Sequence, residues 1–267
     1  MAKLADIVFT LDTTGSMGFA IEAMKRTITQ LAAIYLEARI DTRLGVIQFR
    51  DRVSFGDSED GNPTRQRIMF DGNEFTSDPH KFRDGVAFLH AFGGGPEPES
   101  SFDALALAAR SDWRDEANRI IIHITDAPPQ QPDREVETIS HLVDMLSNAM
   151  IDQLHFIVPN TAMDDFEQLA ETKNDGIEGS NFATVTWTSI TSDVEDIVEK
   201  LRKIAKTSSG SVFDKGELIF RDDEEAEAIL EDDPFEIDDD EDDVAEADLD
   251  EDEEDEDHSV NPFDDLD

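Results

Sequence analysis

The sequence predicts an α/β fold built on a doubly wound, mainly parallel sheet with helices on both faces. Apolar, β-rich segments alternate with segments of helical periodicity throughout residues 1–206. The strand-like segments are apolar on both faces, as is typical of parallel strands buried between two layers of helices. In such sheets ligands bind in the loops that follow the carboxyl ends of the strands, so these loops are the first place to search for a site.

The individual segments carry their own signals. Residues 118–125, "NRIIIHIT", are the most apolar run and predict a central strand, whereas charges flank 67–70, as in an edge strand. Residues 18–37 place apolar side chains at spacings of three and four, on one helix face. Asp78 caps a helix at 78–92 that begins with Pro79. The remaining predicted strands are 5–11, 43–50, 154–158 and 182–187, and the remaining predicted helices are 100–111, 133–149, 163–173 and 191–206.

The acidic residues are unevenly distributed along the chain. The 267 residues carry a formal net charge of −43, and residues 207–267 hold 30 of the 65 acidic residues but two of the 22 basic ones. So few apolar groups among so many like charges predict a domain at 1–206 followed by a disordered acidic tail at 207–267. Three roles stay open for this tail: solubility, docking to a basic partner, and occupation of a metal site on the same chain.

Composition also narrows the class of protein. The absence of cysteine excludes disulfides and thiolate chemistry. We find neither a secretory signal pattern nor an apolar run of the roughly 20 residues that a membrane-spanning helix needs. The strongly negative charge argues against nucleic acid or an anionic membrane as the direct partner. We therefore expect a cytoplasmic protein.

Oxygen-bearing side chains cluster where the predicted strands end. Asp12, Thr14 and Ser16 follow the first strand at a spacing of two, which turns all three to one side of an extended loop. Asp126 follows the strand at 118–125, and the glycine-rich stretch at 93–101, "GGGPEPESS", precedes a helix. Carboxylates and hydroxyls from three loops are the ligands that a hard divalent cation prefers.

Three motifs, "DIVFTLDTTGSMG", "GGGPEPES" and "IIIHITDAPP", together resemble the von Willebrand factor A domain and its metal-ion-dependent adhesion site. The resemblance covers about residues 5–206. It implies that Thr14 and Ser16 bind Mg²⁺ directly, with Mn²⁺ as a possible substitute. It further implies that Asp12 and Asp126 hold the ion through water and that Thr125 positions the third loop.

The second loop departs from the family pattern, because it lacks a threonine where many members place one. The nearest candidates for a ligand are Glu99, Ser100 and Ser101. We favour Glu99, since related glycine-rich loops often end in Pro-Glu. A directly bound carboxylate would lower the net charge of the ion and weaken its attraction for a partner.

The resemblance implies a binding function without catalysis. Two neutral hydroxyls and two water-separated carboxylates leave the ion under-neutralised and with an open position, which an Asp or Glu of a partner protein can fill. Some intracellular members of the family are adaptors for AAA+ ATPases, kinases or chaperones, and the resemblance permits any of these partners.

Other interpretations also fit some of these residues. The sequence "DTTGS" also suits a plain helix cap. It is similar to the loop of Mg²⁺-dependent phosphoaspartyl enzymes, in which Asp12 would be the nucleophile. Thr13 and Thr14 stand where those enzymes have Lys or Asp, however, and "TDAPP" offers one carboxylate instead of two. His123 and His155 lie in apolar strands and are expected to be core residues.

Overall fold

The computed structural model describes residues 3–50, 65–93, 98–171, 182 and 184–213. These residues contain a six-stranded sheet. Its strands are β1 (Lys3–Asp12), β2 (Ile40–Phe49), β3 (Arg65–Arg67), β4 (Asn118–Ile124), β5 (Gln153–Val158) and β6 (Thr184–Ser189). They are arranged in the order β3-β2-β1-β4-β5-β6, and β3 alone runs antiparallel to its neighbour. The predicted α/β class with a mainly parallel sheet is confirmed.

Helices cover both faces of the sheet. They are α1 (Gly18–Glu37), α2 (Pro79–Ala87), α3 (Ser101–Ala109), α4 (Ile139–Asn148), α5 (Met163–Glu171) and α6 (Val194–Gly210). The first core, on the side of α1, α2 and α6, takes Ile7, Phe9 and Leu11 from β1, whereas the second core, on the side of α3, α4 and α5, takes Val8. This alternation along one strand confirms the doubly wound arrangement. Within the described residues no helix is long and apolar enough to cross a membrane.

The sheet reverses its winding direction between β1 and β4. From β1 the chain moves outwards to β2 and β3, then returns past β1 to continue with β4, β5 and β6. The run 118–125 is therefore a central strand, as predicted. In an open α/β sheet such a reversal leaves a crevice at the carboxyl ends of the two strands. Here those ends are Asp12 and Ile124.

Several segment boundaries differ from the prediction. The edge strand lies at Arg65–Arg67 instead of 67–70, where Arg67 Nη2 reaches across to donate to the carbonyl of Leu107 in α3 (2.7 Å). Helix α2 ends at Ala87, and residues 88–93 lead without regular secondary structure to the end of β1, where the amide of Phe92 donates to the carbonyl of Thr13. Helix α4 begins at Ile139, where Thr138 caps it by accepting a hydrogen bond from the amide of His141 (3.2 Å).

The last described residues return to the amino-terminal edge of the sheet. Helix α6 continues to Gly210, past its predicted end at 206, and Val212 is buried in the first core. Asn118 holds Phe213 in place by donating to its carbonyl (2.8 Å) and accepting from its amide (3.3 Å). Residues 94–97, 172–181 and 183 lie outside the described residues, as do residues 214–267 of the acidic tail predicted at 207–267.

The two strand histidines lie in the core, as predicted. His123 Nδ1 is 2.7 Å from Thr10 Oγ1, and its ring stacks on Phe49 with the centroids 5.3 Å apart. His155 Nδ1 is 2.8 Å from Thr186 Oγ1. Burial lowers the pKa of His123 to about 3 and that of His155 to about 4. Both rings are thus neutral in the folded protein above about pH 4, whereas the unfolded chain protonates them below about pH 6.5.

We expect these histidines to make the fold sensitive to acid. Below a pH of about 6.5 the unfolded chain protonates both rings and the folded chain does not, so stability falls as the pH falls. Replacing His155 with Gln should remove about 1.4 kcal/mol of this loss per pH unit between about pH 6 and 4. Urea unfolding of the full chain across this range measures the effect. His141→Gln, an exposed control, should leave the pH dependence unchanged; equal slopes in all three proteins would contradict the assignment.

Candidate metal centre

Asp12, the last residue of β1, is fully buried at the crevice and holds two loops together. Its Oδ1 accepts hydrogen bonds from the amide of Thr14 (2.8 Å) and from Thr14 Oγ1 (2.7 Å). Its Oδ2 accepts from Thr125 Oγ1 (2.7 Å), which follows β4. The loop after β1 and the loop after β4 are therefore joined through one carboxylate.

These hydrogen bonds fix the direction of the hydroxyl groups. Thr14 gives its hydroxyl proton to Asp12, so the lone pairs of Thr14 Oγ1 remain available on its other side. Thr14 Oγ1 lies 3.4 Å from Ser16 Oγ. Adjacent oxygens around octahedral Mg²⁺ are about 3 Å apart, given metal–oxygen distances of about 2.1 Å. Ser16 is exposed, so a small rotation of its side chain closes the difference.

The electrostatic state of Asp12 favours the arrival of a cation. Burial raises the pKa of Asp12 to about 6, the three hydrogen bonds lower it in part, and the negative charge of Asp126 raises it further. A raised carboxyl pKa means that the ionised form is less stable here than in the unfolded chain. The protonated carboxyl therefore stabilises the folded state relative to the unfolded chain. This contribution is fully present below about pH 4 and is lost as the pH rises through about 6. A cation beside the carboxylate would offset that loss.

A third segment, residues 91–93 after α2, lies directly against the loop of Asp12. The amide of Gly15 donates to the carbonyl of Gly93 (3.0 Å), and the amide of Phe92 donates to the carbonyl of Thr13 (3.1 Å). A Cβ atom on Gly15 would lie 3.2 Å from the Gly93 oxygen, so this contact favours glycine. The segment that leads into the predicted second loop is thus anchored at the first loop.

The second and third loops are also tied to each other. The amide of Glu99 donates to the carbonyl of Pro128 (3.0 Å), and the amide of Gln130 donates to the carbonyl of Glu99 (2.7 Å). Inside the third loop, Thr125 Oγ1 accepts from the amide of Ala127 (3.2 Å) while it donates to Asp12. All three predicted loops therefore meet at the carboxyl ends of β1 and β4.

The second loop offers buried oxygens that differ in their surroundings. Glu99 is 3% exposed and Ser101 is 0% exposed. Ser101 Oγ has no hydrogen-bond partner among the described residues. Ser100 Oγ lies near Asp133 without a hydrogen bond of standard geometry, and it lowers the pKa of that carboxyl in part. A buried hydroxyl without a partner is costly, and an added ligand would satisfy it. The residues present therefore fit a divalent cation.

Two aspartates that the sequence analysis did not single out support this loop. Asp103 in the first turn of α3 is buried, and its Oδ1 accepts from the amides of Glu135 (2.9 Å) and Val136 (3.0 Å). Asp133 Oδ2 accepts from the amide of Asp103 (3.1 Å). These bonds fasten the third loop to the helix that follows Glu99. The acidic residue in a helical first turn was visible in the sequence, but its partners more than 30 positions away were not.

The structure thus brings the predicted residues together to different degrees. Asp12, Thr14, Ser16 and Thr125 form one set of direct contacts. Asp126 acts on Asp12 through its charge, and the contacts given above place Glu99 against the third loop. Sites of the other common kind, with three or more His, Cys, Asp or Glu side chains around one ion, are absent from the described part of the chain.

Two solved structures resemble this chain at low sequence identity. Proximal thread matrix protein 1 from the mussel byssus superposes with a TM-score of 0.51 at 13% identity, over 78% of this chain and 46% of its own. That similarity supports the fold alone. A von Willebrand factor type A structure from Catenulispora acidiphila has a TM-score of 0.49 at 19% identity, over 79% of this chain and 44% of its own.

Sequence similarity extends to one long curated protein. The chain is 31% identical over 129 residues to the alpha-protein kinase vwkA of Dictyostelium discoideum. The aligned residues make up 48% of this chain and 19% of the kinase. The chain thus spans about a fifth of that relative. A family model described as the von Willebrand factor A domain matches residues 6–217, most of the 267 residues. This chain belongs to the von Willebrand factor A domain family.

Proposed function

We propose that this chain is a protein-binding module that captures an acidic side chain of its partner through a divalent cation. Mg²⁺ is the expected ion, and Mn²⁺ can replace it. The residues that would hold it are Asp12, Thr14, Ser16 and Asp126, together with Glu99 or Ser101 of the second loop. The function is binding, without chemical turnover.

The observation that carries this proposal is the hydrogen bonding of Asp12. A buried carboxylate that accepts the hydroxyl protons of Thr14 and Thr125 holds both loops still. It also increases the electron density on Thr14 Oγ1, so a neutral hydroxyl becomes a better ligand. Ser16 is exposed and Asp126 is half-buried, so the oxygens face an accessible mouth.

A bound Mg²⁺ would supply positive charge and an open position for an anionic oxygen. The chain itself contributes orientation: Asp12 fixes Thr14, Thr125 fixes Asp12, and the backbone bonds of Glu99 fix the second loop against the third. With a formal charge of −43, the protein otherwise repels an acidic partner. Capture of a carboxylate should therefore depend on the cation.

The family resemblance permits three classes of partner. The candidates are an AAA+ ATPase, a kinase and a chaperone, each in the cytoplasm. The similarity to the alpha-protein kinase vwkA covers 19% of that protein, so it supports a shared domain and not a shared kinase activity. We propose no nucleic acid or membrane partner, because the chain is strongly acidic.

The competing function is phosphoryl transfer with Asp12 as nucleophile. Attack on a phosphorus atom needs a carboxylate oxygen with an accessible lone pair. Asp12 is 0% exposed and three hydrogen bonds occupy its oxygens. Burial of this kind supports a structural role for Asp12 beneath the ligands over a nucleophilic one.

The acidic tail would regulate binding if one of its carboxylates reached the metal. The last described residue, Phe213, is held by Asn118 at the start of β4, whereas the site lies beyond its end. A seven-residue strand such as β4 is about 23 Å long at about 3.3 Å per residue. The tail must span at least that distance before it can compete with a partner in cis.

Ser16→Ala should weaken cation binding without unfolding the protein. Ser16 is exposed and contributes a ligand oxygen but no core packing. Isothermal titration of the full chain with Mg²⁺ or Mn²⁺ should show affinity reduced by more than about tenfold.

Wild-type affinity for the cation should also fall below about pH 6, by about tenfold per pH unit, because protons compete for Asp12.

The matched control for Ser16→Ala is Ser140→Ala, which changes an exposed serine on α4. It should bind the cation as the wild type does, and all three metal-free proteins should melt at the same temperature within about 2 °C. If the wild type binds no divalent ion at millimolar concentration, the assignment of the site is wrong.

A carboxylate probe tests the binding role. We expect a short peptide with one central Asp to shift the amide resonances of Gly15 and Ser16 when Mg²⁺ is present. The shifts should vanish with a chelator, with the Asn version of the peptide, and in Ser16→Ala. The Asn version lacks the side-chain carboxylate that would occupy the open position on the ion, so loss of the shifts would identify that carboxylate as the bound group.

Release of phosphate from acetyl phosphate separates the two functions. Binding predicts no Mg²⁺-dependent release above that of Asp12→Asn. Turnover by the wild type that Asp12→Asn abolishes would replace the binding function with the phosphoaspartyl one.

A further inference from the structure

Arg50 follows β2 and lies next to the loop of Asp12. It is 7% exposed, although no ligand role has been assigned to it. Its Nε donates to Thr13 Oγ1 (3.1 Å). Its guanidinium carbon lies 3.5 Å from the centre of the Phe92 ring. An arginine is thus packed between the first loop and the segment that leads into the second.

We propose that Arg50 is a positioning residue for the metal site, and that it acts by locking Thr13 between the end of β2 and Phe92. We call Arg50, Thr13 and Phe92 the arginine clamp. The clamp deepens the proposed function, on which it rests, by naming what holds the ligand loop in a binding-competent shape before any ion arrives.

Thr13 is the point at which the clamp acts. Its amide donates to the carbonyl of Phe49 (2.9 Å), and its hydroxyl donates to the same oxygen (3.2 Å). Its carbonyl accepts from the amide of Phe92 (3.1 Å). Since the hydroxyl donates to Phe49, Arg50 Nε finds a free lone pair on it. Every polar group of Thr13 is therefore fixed, and its neighbours Asp12 and Thr14 are oriented with it.

The clamp requires an arginine because it uses both the plane and the donors of the guanidinium. The plane stacks on Phe92 while Nε–H stays in reach of Thr13, a combination that the point charge of lysine does not reproduce.

The same strand provides a matched control. Arg43, on β2, also lies over an aromatic ring, with its guanidinium carbon 4.7 Å from the centre of Phe75. Its Nε donates to Asp6 (3.0 Å) near the start of β1, at the opposite end of that strand from Asp12. Arg43→Lys should therefore disturb a half-buried arginine contact without touching the metal loop.

Hydrogen exchange in the metal-free full chain tests the clamp directly. The reporters are the amides of Gly15 and Phe92, whose bonds to Gly93 and Thr13 join the two segments. Arg50→Lys should speed exchange at both amides by about tenfold relative to the wild type, through local opening. Arg43→Lys should leave both rates unchanged after correction for global stability.

Cation affinity supplies the second readout. Arg50→Lys and Phe92→Leu should weaken Mn²⁺ binding by about tenfold, which is about 1.4 kcal/mol. Phe92→Tyr keeps the aromatic ring and should retain the wild-type affinity for Mn²⁺. Arg43→Lys should retain it as well.

Unchanged hydrogen exchange at the amides of Gly15 and Phe92 in Arg50→Lys would overturn the clamp, regardless of the affinity for Mn²⁺. Equal loss of affinity in Arg50→Lys and Arg43→Lys would overturn it as well, because the effect would then be general destabilisation. If Arg50→Lys exchanges faster at these amides but the wild type binds no cation, the proposed function is overturned. The clamp then remains as the support of the loop.

Discussion

The buried carboxylate of Asp12 is the constraint on which the rest of the site depends. Removing an ionised carboxylate from water is unfavourable unless hydrogen bonds and opposite charge replace its hydration. Thr14 and Thr125 provide three hydrogen bonds, yet burial still raises the pKa of Asp12 to about 6. The hydrogen bonds arrange the loops, and the proposed cation would supply the opposite charge that they lack.

A second buried aspartate on the same strand shows what a completed site looks like. Asp6 near the start of β1 is 0% exposed and accepts from Arg43 Nη2 (2.6 Å) and Arg114 Nε (2.8 Å). Asp12, at the other end, accepts from neutral groups. One end of β1 is thus neutralised by two arginines of the protein itself, and at the other end the proposed cation would supply the opposite charge. The reversal of the sheet between β1 and β4 provides the crevice in which such an ion would be reached.

The sequence predicted those features that local pattern determines. The alternation of strands and helices gave the sheet, and polar side chains directly after apolar strands located Asp12, Thr14 and Asp126. Contacts between distant segments were beyond it. The sequence placed Arg50 at the end of a predicted strand, 43–50, and did not indicate its contact with Phe92. Only the folded chain brings the Phe92 ring beneath the guanidinium. The start of α4 was placed too early because nothing local reveals that Asp103 holds residues 135 and 136 in a loop.

A crystal structure of the full chain with Mn²⁺, with an anomalous difference map at the manganese edge, tests the central claim most directly. We predict one peak bound by Thr14 Oγ1 and Ser16 Oγ, with Asp12 hydrogen-bonded beneath them. The refined distances around that peak would assign the second-loop ligand to Glu99 or Ser101. A peak bound directly by both oxygens of Asp12, or none at this crevice, would contradict the account.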